Sequence, residues 1–183
     1  MSRIVAGRFR GRRLEVPAGR TVRPTTDRMR ERVFSMLMHG RYPDMHGARV
    51  ADLFAGTGAL GLEALSRGAE HITFVEKATQ SIACIRKNIG ALKADSACNI
   101  LQVNATSLPQ TGDPFDFIFM DPPYHQDLVT QALEGILAQD WLAPEGVIIC
   151  ELGSDETLNL PSELDLVDER TQGAQRIIFA SKK

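Results

Sequence analysis

From residue 49 onward the apolar positions fall into short runs separated by longer amphipathic stretches. "RVADLF", "HITFVE", "NILQVN", "FDFIFMD" and "GVIICEL" are runs of strand length, most of them rich in β-branched or aromatic residues. Between them, "ALGLEALSRG" reads as a helix closed by Gly68, and residues 78–93 and 127–139 carry helical spacing. Such alternation demands right-handed crossovers and a parallel sheet with helices on both faces. "LDLVDER" and "QRIIFAS", on either side of the turn "TQGA", read as a terminal antiparallel hairpin. The expectation is an α/β fold with a mostly parallel seven-stranded sheet.

Ahead of this lies a different pattern. "RIVAGRFRGRRLEVP" (residues 3–17) reads as two short strands around Gly7 and Gly11, a small basic β-hairpin. "TTDRMRERVFSMLMHG" has Thr or Asp caps, an apolar face of Met29, Val33, Phe34 and Leu37, and Gly40 as its stop. We therefore expect an N-terminal arm over residues 1–22 and an α/β domain over residues 23–183.

Charge sharpens that division. Residues 1–32 hold ten arginines against Glu15, Asp27 and Glu31, a net +7, while the remainder carries −9. A basic arm on an acidic body points to a nucleic-acid contact or to a solvated tail, and the guanidinium fork suits phosphate. A chain of 183 residues with 43% hydrophobic and 24% charged residues fits one globular domain with a small appendage. No apolar run reaches the roughly 18 residues of a membrane span. Cys84, Cys98 and Cys150 form no CxxC pair, and His39, His46 and His71 share no ligand spacing, so neither a disulfide framework nor a metal site is expected. We expect a reduced, cytoplasmic monomer without a membrane partner. Trp141 and Phe117 read as core residues.

The chemistry-bearing residues fall at predicted strand ends, where such sheets bind ligands. "ADLFAGTGALG" places Gly56, Gly58 and Gly61 between strand and helix, and Glu76 ends the next strand, where it can accept from a ribose. This alone fits any nucleoside cofactor, including a nicotinamide dinucleotide. Asp52 is awkward beside a pyrophosphate and comfortable beside a cation, unless it only braces the loop. Asn104 and Ala105 can meet an adenine ring, or Asn104 is simply a turn residue. "DPPY" (residues 121–124) ends the fourth run with an acid, two prolines and an aromatic face.

In that order, these motifs resemble a class I S-adenosylmethionine-dependent methyltransferase, and the (D/N)PP(Y/F) pattern is that of enzymes methylating exocyclic amino nitrogens. The opening "RIVAGRFRGRRLEVP…RPTTDRMRERVF", joined to "DLFAGTGALGLEALSRGA", further resembles the RsmD family of 16S rRNA (guanine-N2)-methyltransferases over essentially the whole chain. The resemblance implies a Rossmann-like class I methyltransferase fold and methyl transfer to guanine N2, with S-adenosylhomocysteine as product and no metal. It implies 16S rRNA or the assembling small ribosomal subunit as partner. Cofactor contacts are expected from Asp52, Phe54, Ala55, Gly56, Thr57, Gly58, Glu76, Lys77, Asn104, Ala105 and Asp121. Catalysis is expected at Asp121, Pro122 and Tyr124, and RNA contact at Arg3, Arg8, Arg10, Arg12, Arg13, Arg23 and Arg28. Asp121 and the Pro122 carbonyl would each accept an amino hydrogen, and Tyr124 would stack on the base. His125 is a weaker candidate base, and "RPTTDR" (residues 23–28) either approaches the donor or only caps a helix. Rival readings are an adenine-N6 DNA methyltransferase, a nicotinamide dehydrogenase and a non-catalytic RNA-binding protein.

Overall fold

The computed structural model describes residues 2–17 and 27–183. In chain order the elements are β1 (Ser2–Arg3), β2 (Arg13–Leu14), α1 (Asp27–His39), β3 (Arg49–Leu53), α2 (Ala59–Ser66), β4 (His71–Val75) and α3 (Thr79–Leu92). A 3₁₀ turn (Asp95–Ala97) leads to β5 (Cys98–Leu101), β6 (Phe115–Met120), α4 (Leu128–Ala138), β7 (Leu142–Gly153), β8 (Leu164–Gln172) and β9 (Gln175–Lys182). Seven strands form one sheet in the order β5–β4–β3–β6–β7–β9–β8. The pairs from β5 through β7 are parallel, and β9 runs antiparallel to both β7 and β8.

The central strands β3, β4 and β6 are mostly apolar because both faces are buried, as a sheet with crossover helices requires, whereas the edge strand β8 is polar and largely exposed. Alternation along β6 sends Phe117 and Phe119 to one core and Ile118 and Met120 to the other. The first core is covered by Val33 and Phe34 of α1, Leu62 and Leu65 of α2, and Ile85 and Ile89 of α3. The second is covered by Ala132, Leu133 and Ile136 of α4. Trp141 and Phe117 are core residues, and the indole Nε1–H of Trp141 donates to the Pro109 carbonyl at 2.7 Å. Two strands differ from the expected limits by more than two residues. β5 stops at Leu101, so Asn104 belongs to the following loop rather than to a strand end. β7 starts earlier, at Leu142, but its pairing with β6 skips between Phe115 and Phe117, opposite a stretch where Pro144 has no N–H to donate.

The basic hairpin forms as expected, with Ser2 opposite Leu14 and Arg3 opposite Arg13. Its apolar residues Ile4 and Leu14 are buried in the first core. The domain boundary expected after residue 22 lies outside the described residues, as do the Thr25 and Thr26 caps. The hairpin is pinned to α2 chiefly by polar contacts. Glu63 is 0% exposed, and its carboxylate accepts from the Val5 and Ala6 N–H groups at 2.7 and 3.0 Å. Arg67 Nε donates to the same carboxylate at 2.8 Å. The Ser66 hydroxyl donates to the Ala6 carbonyl at 2.5 Å and accepts from Phe9 N–H at 2.9 Å. Gly7 sits between them at φ +78°, where a Cβ would lie 1.9 Å from the Ser66 carbonyl oxygen; only glycine fits. On the other flank, Arg30 of α1 is fully buried and donates to the Arg3 carbonyl at 2.5 Å and to Asp27 at 2.7 Å.

The fully buried Glu63 carboxylate thus satisfies two half-buried backbone donors and the guanidinium of Arg67. Glu63→Ala is expected to cost about 3 kcal/mol of unfolding free energy in urea denaturation. It should also release the Val5 and Ala6 amides to fast hydrogen exchange. Unchanged protection at those two amides would show that the carboxylate does not hold the hairpin.

Candidate active site

Side chains two apart on a strand share a face, and parallel pairing carries that parity to the next strand. Four neighbouring strands bring an acid to the same face near their carboxyl ends. Asp52 lies on β3, Glu76 and Asp121 each follow one residue after β4 and β6, and Glu151 lies on β7. The pairing of Leu53 with Val75 and Met120, and of Met120 with Cys150, sets them side by side. All four carboxylates line one cavity of about 640 Å³, within the roughly 300–1,000 Å³ of small-molecule sites.

One half of the cavity is built on the start of α2. Asp52 is 2% exposed, and its Oδ2 accepts from Gly61 N–H at 2.8 Å, satisfying a first-turn donor of the helix. It therefore braces the loop and also lines the cavity. A Cβ at Gly61 would lie 2.5 Å from the Phe74 ring, so the third glycine serves helix–strand packing rather than the loop. Glu76 accepts from Gly56 N–H at 2.9 Å and from Ala78 N–H at 2.8 Å, one through each oxygen. Phe54, Ala55, Gly56, Thr57, Lys77, Asn104 and Ala105 line the same cavity. Gly58 stands behind that wall, at φ +76° as the N-terminal cap of α2. Phe54 turns the chain out of β3 at φ +59°, a left-handed conformation uncommon for a bulky residue. Asn104 is a turn residue, its side-chain oxygen accepting from Thr106 N–H at 3.1 Å, while it still borders the cavity.

The other half holds Asp121, Pro122, Pro123 and Tyr124. Pro122 is buried, and Asp121 and Tyr124 are half-buried. The Tyr124 hydroxyl donates to Glu151 Oε1, and Gln175 Nε2 donates to the same oxygen at 2.7 Å. Burial first, then the Glu151 carboxylate, push the Tyr124 hydroxyl well above its ordinary value, so it stays a phenol and a donor. Glu151 and Gln175 are absent from the residues expected from sequence. Their signal was the pairing of "ICEL" with "FMDPP", visible only once the β6–β7 register is known. His125 is exposed at φ +59°, with its backbone N–H donating to Glu156 at 2.8 Å, and it does not line the cavity. Arg3, Arg8, Arg10, Arg12, Arg13 and Arg28 are exposed; Arg23 and most of the 23–28 segment lie outside the described residues. Arg3 pairs with Asp27 at 3.1 Å, and Arg8 lies over the Phe9 ring at 4.5 Å.

Desolvation raises the Asp52 carboxyl well above its ordinary value; Gly61 N–H opposes this, and the charges of Asp121 and Glu76 add to it. A cavity of this sign favours a cationic, phosphate-free ligand and disfavours a pyrophosphate. Among the described residues no group of three His, Cys, Asp or Glu is placed to hold a metal ion, and no helix is long and apolar enough to cross a membrane.

A mostly parallel seven-stranded sheet with an antiparallel terminal hairpin and a carboxylate-lined cavity at its strand ends is the class I methyltransferase architecture. Within that class, residues 2–181 match the family described as conserved hypothetical protein 95, and the chain belongs to it. It is 39% identical to the ribosomal RNA small subunit methyltransferase D of Haemophilus influenzae over 176 residues, covering 93% of this chain and 89% of that one. It is also 39% identical to the protein of the same name from Escherichia coli K12, covering 93% and 85%. The solved structure of yhhF from Escherichia coli superimposes with a TM-score of 0.85 at 36% identity, covering 100% of this chain and 98% of that one.

The Asp52 shift has a thermodynamic consequence. The folded protein holds the Asp52 proton more tightly than the unfolded chain, so this contribution to stability falls as pH rises above about 4. Asp52→Asn keeps an oxygen for Gly61 N–H and removes the titration. Urea midpoints of the ligand-free proteins should therefore move in favour of Asp52→Asn as pH rises. A wild-type-minus-variant difference that ignores pH would show that Asp52 is not raised.

Proposed function

We propose that this protein transfers a methyl group from S-adenosylmethionine to the exocyclic N2 of a specific guanine in 16S rRNA of the bacterial small ribosomal subunit, in the cytoplasm. The observation that carries this is one cavity joining a carboxylate-braced glycine loop to Asp-Pro-Pro-Tyr. It is supported by relatives at 39% identity whose names specify small-subunit rRNA methylation.

S-adenosylmethionine, when bound, supplies an electrophilic methyl group on a sulfonium. Asp52 and Asp121 place negative charge toward that cationic end, and the free lone pairs of Glu76 face the ribose hydroxyls. Ala105 and its loop flank the adenine. At the other half, Asp121 accepts one amino hydrogen of the guanine and the Pro122 carbonyl the other. Drawing both hydrogens aside would leave the nitrogen lone pair directed at the methyl carbon. The new N–C bond would replace the methyl–sulfur bond, whose electron pair stays on sulfur, and the nitrogen would lose one proton to water afterwards. Pro122 and Pro123 hold that carbonyl without a mobile backbone, so little reorganisation is needed at the transition state. Tyr124 gives the extruded base a face to stack on, a contact worth ~1–3 kcal/mol. The exposed arginines of the hairpin bind phosphates, which an acidic body would otherwise repel.

The test is incubation with radiolabelled methyl donor and 16S rRNA, small subunits or DNA, followed by nucleoside analysis. N2-methylguanosine from the RNA samples is expected; labelled N6-methyladenine from DNA would overturn the proposal. Asp121→Ala should lower turnover roughly 10²–10³-fold while donor affinity, measured by calorimetry, changes far less.

The hairpin makes a separate prediction. Replacing Arg10, Arg12 and Arg13 together with alanine should flatten log K for RNA against log salt by roughly two to three units. Donor affinity should not move. Equal slopes for both proteins would mean the hairpin does not meet phosphate.

A further inference from the structure

The turn that follows β6 is held on both sides of Tyr124. Before it, Pro122 and Pro123 each lock their own φ. After it, the His125 N–H donates to Glu156 Oε1 at 2.8 Å, and the other oxygen of Glu156 accepts from Gly153 N–H at 2.6 Å. That carboxylate ties His125, at φ +59°, to the end of β7. With the backbone fixed, what is left to settle is the direction of the Tyr124 ring.

The ring is half-buried and lines the cavity. A partly exposed aromatic side chain without an anchor exchanges rotamers within picoseconds to nanoseconds. Here the hydroxyl donates to Glu151 Oε1. Glu151 is 4% exposed and lies within β7, so the anchor is itself rigid. Gln175 Nε2 donates to the same oxygen at 2.7 Å. Glu151 pairs with Ile177, and Gln175 lies two residues before Ile177, so alternation puts Gln175 on the face that carries Glu151. A phenyl ring would offer a base the same stacking area. The hydroxyl and its two partners on β7 and β9 add direction.

We propose that Glu151, itself held by Gln175, is a positioning residue for methyl transfer: it aims the Tyr124 ring as a stacking face set before the target base arrives. A face fixed in advance loses less freedom on binding. This rests on the reading above, in which a base stacks on Tyr124, and adds to it the groups that aim the ring.

Three variants separate the tether from the ring. Tyr124→Phe keeps the face and removes the hydroxyl. Glu151→Leu keeps bulk and removes the acceptor, whereas Glu151→Gln keeps an oxygen for both donors. On 16S rRNA or small subunits, whichever the wild type labels, Tyr124→Phe and Glu151→Leu should each lower kcat/KM about 10–100-fold, the scale on which a misplaced group slows a reaction. The double variant should be no slower than Glu151→Leu alone, because both changes remove one contact. Glu151→Gln should recover most of the loss, and affinity for S-adenosylhomocysteine should hold throughout. The chain has two tyrosines, so ¹³C at Cζ gives a readout independent of catalysis, with Tyr42→Phe assigning the signals. Glu151→Leu should move the Tyr124 signal and leave that of Tyr42. A role in folding alone would lower the thermal midpoint and leave Tyr124→Phe as fast as wild type, which overturns the proposal whether or not Glu151→Leu folds. Additive losses in the double variant, or an unmoved Tyr124 signal, overturn it too, while N2-methylguanosine from the wild type would still uphold the reaction. A wild type that labels no nucleic acid overturns both.

Discussion

The site depends on two carboxylates that hold backbone amides rather than side chains. Asp52 takes the Gly61 N–H, and Glu76 takes those of Gly56 and Ala78. Each acid comes from a different strand, and each reaches the chain that leaves β3. The loop between β3 and α2 is thereby fixed from both sides before any ligand arrives. Removing charge from water to do this is expensive, and the amides offset that cost by being donors the helix start would otherwise leave unmet. The same charges then set the sign of the cavity, which is why one interaction decides both the shape of the site and the kind of ligand it accepts.

The two halves of the cavity are built differently. The half beside Asp52 and Glu76 rests on parallel strands and the start of a helix. The half beside Asp-Pro-Pro-Tyr leans on the antiparallel hairpin, since Gln175 begins β9 and reaches Glu151 from there. The C-terminal hairpin thus does more than close the edge of the sheet; it supplies part of the cavity wall.

The element order and most cavity residues were legible in the sequence because they rest on local patterns. Apolar runs marked the strands, and the glycine loop and Asp-Pro-Pro-Tyr marked two strand ends. What stayed hidden depends on contacts between distant parts of the chain. Glu151 looks like any acid after an apolar run until the β6–β7 register sets it beside Asp121. Arg30 counts as one more cation of a basic segment, yet it is fully buried and holds the hairpin through the Arg3 carbonyl. Glu63 sits in a stretch read simply as a helix closed by Gly68, but its carboxylate serves backbone fifty-seven or fifty-eight residues away. Composition cannot separate a guanidinium that meets solvent from one that meets a carbonyl.

Helix α2 begins at the cofactor loop and, within eight residues, ends at the contacts of Glu63 and Ser66 with the basic hairpin. At 1.5 Å per residue it is a spacer of about 12 Å between the two. Its length is therefore a fixed dimension of the protein. One residue inserted into it would swing the hairpin anchors by about 100° around the helix axis and away from the amides they hold. At the turn by Gly173, no atom lies within 4 Å of where a Cβ would stand, so no packed neighbour sets a dimension there. The ruler is α2.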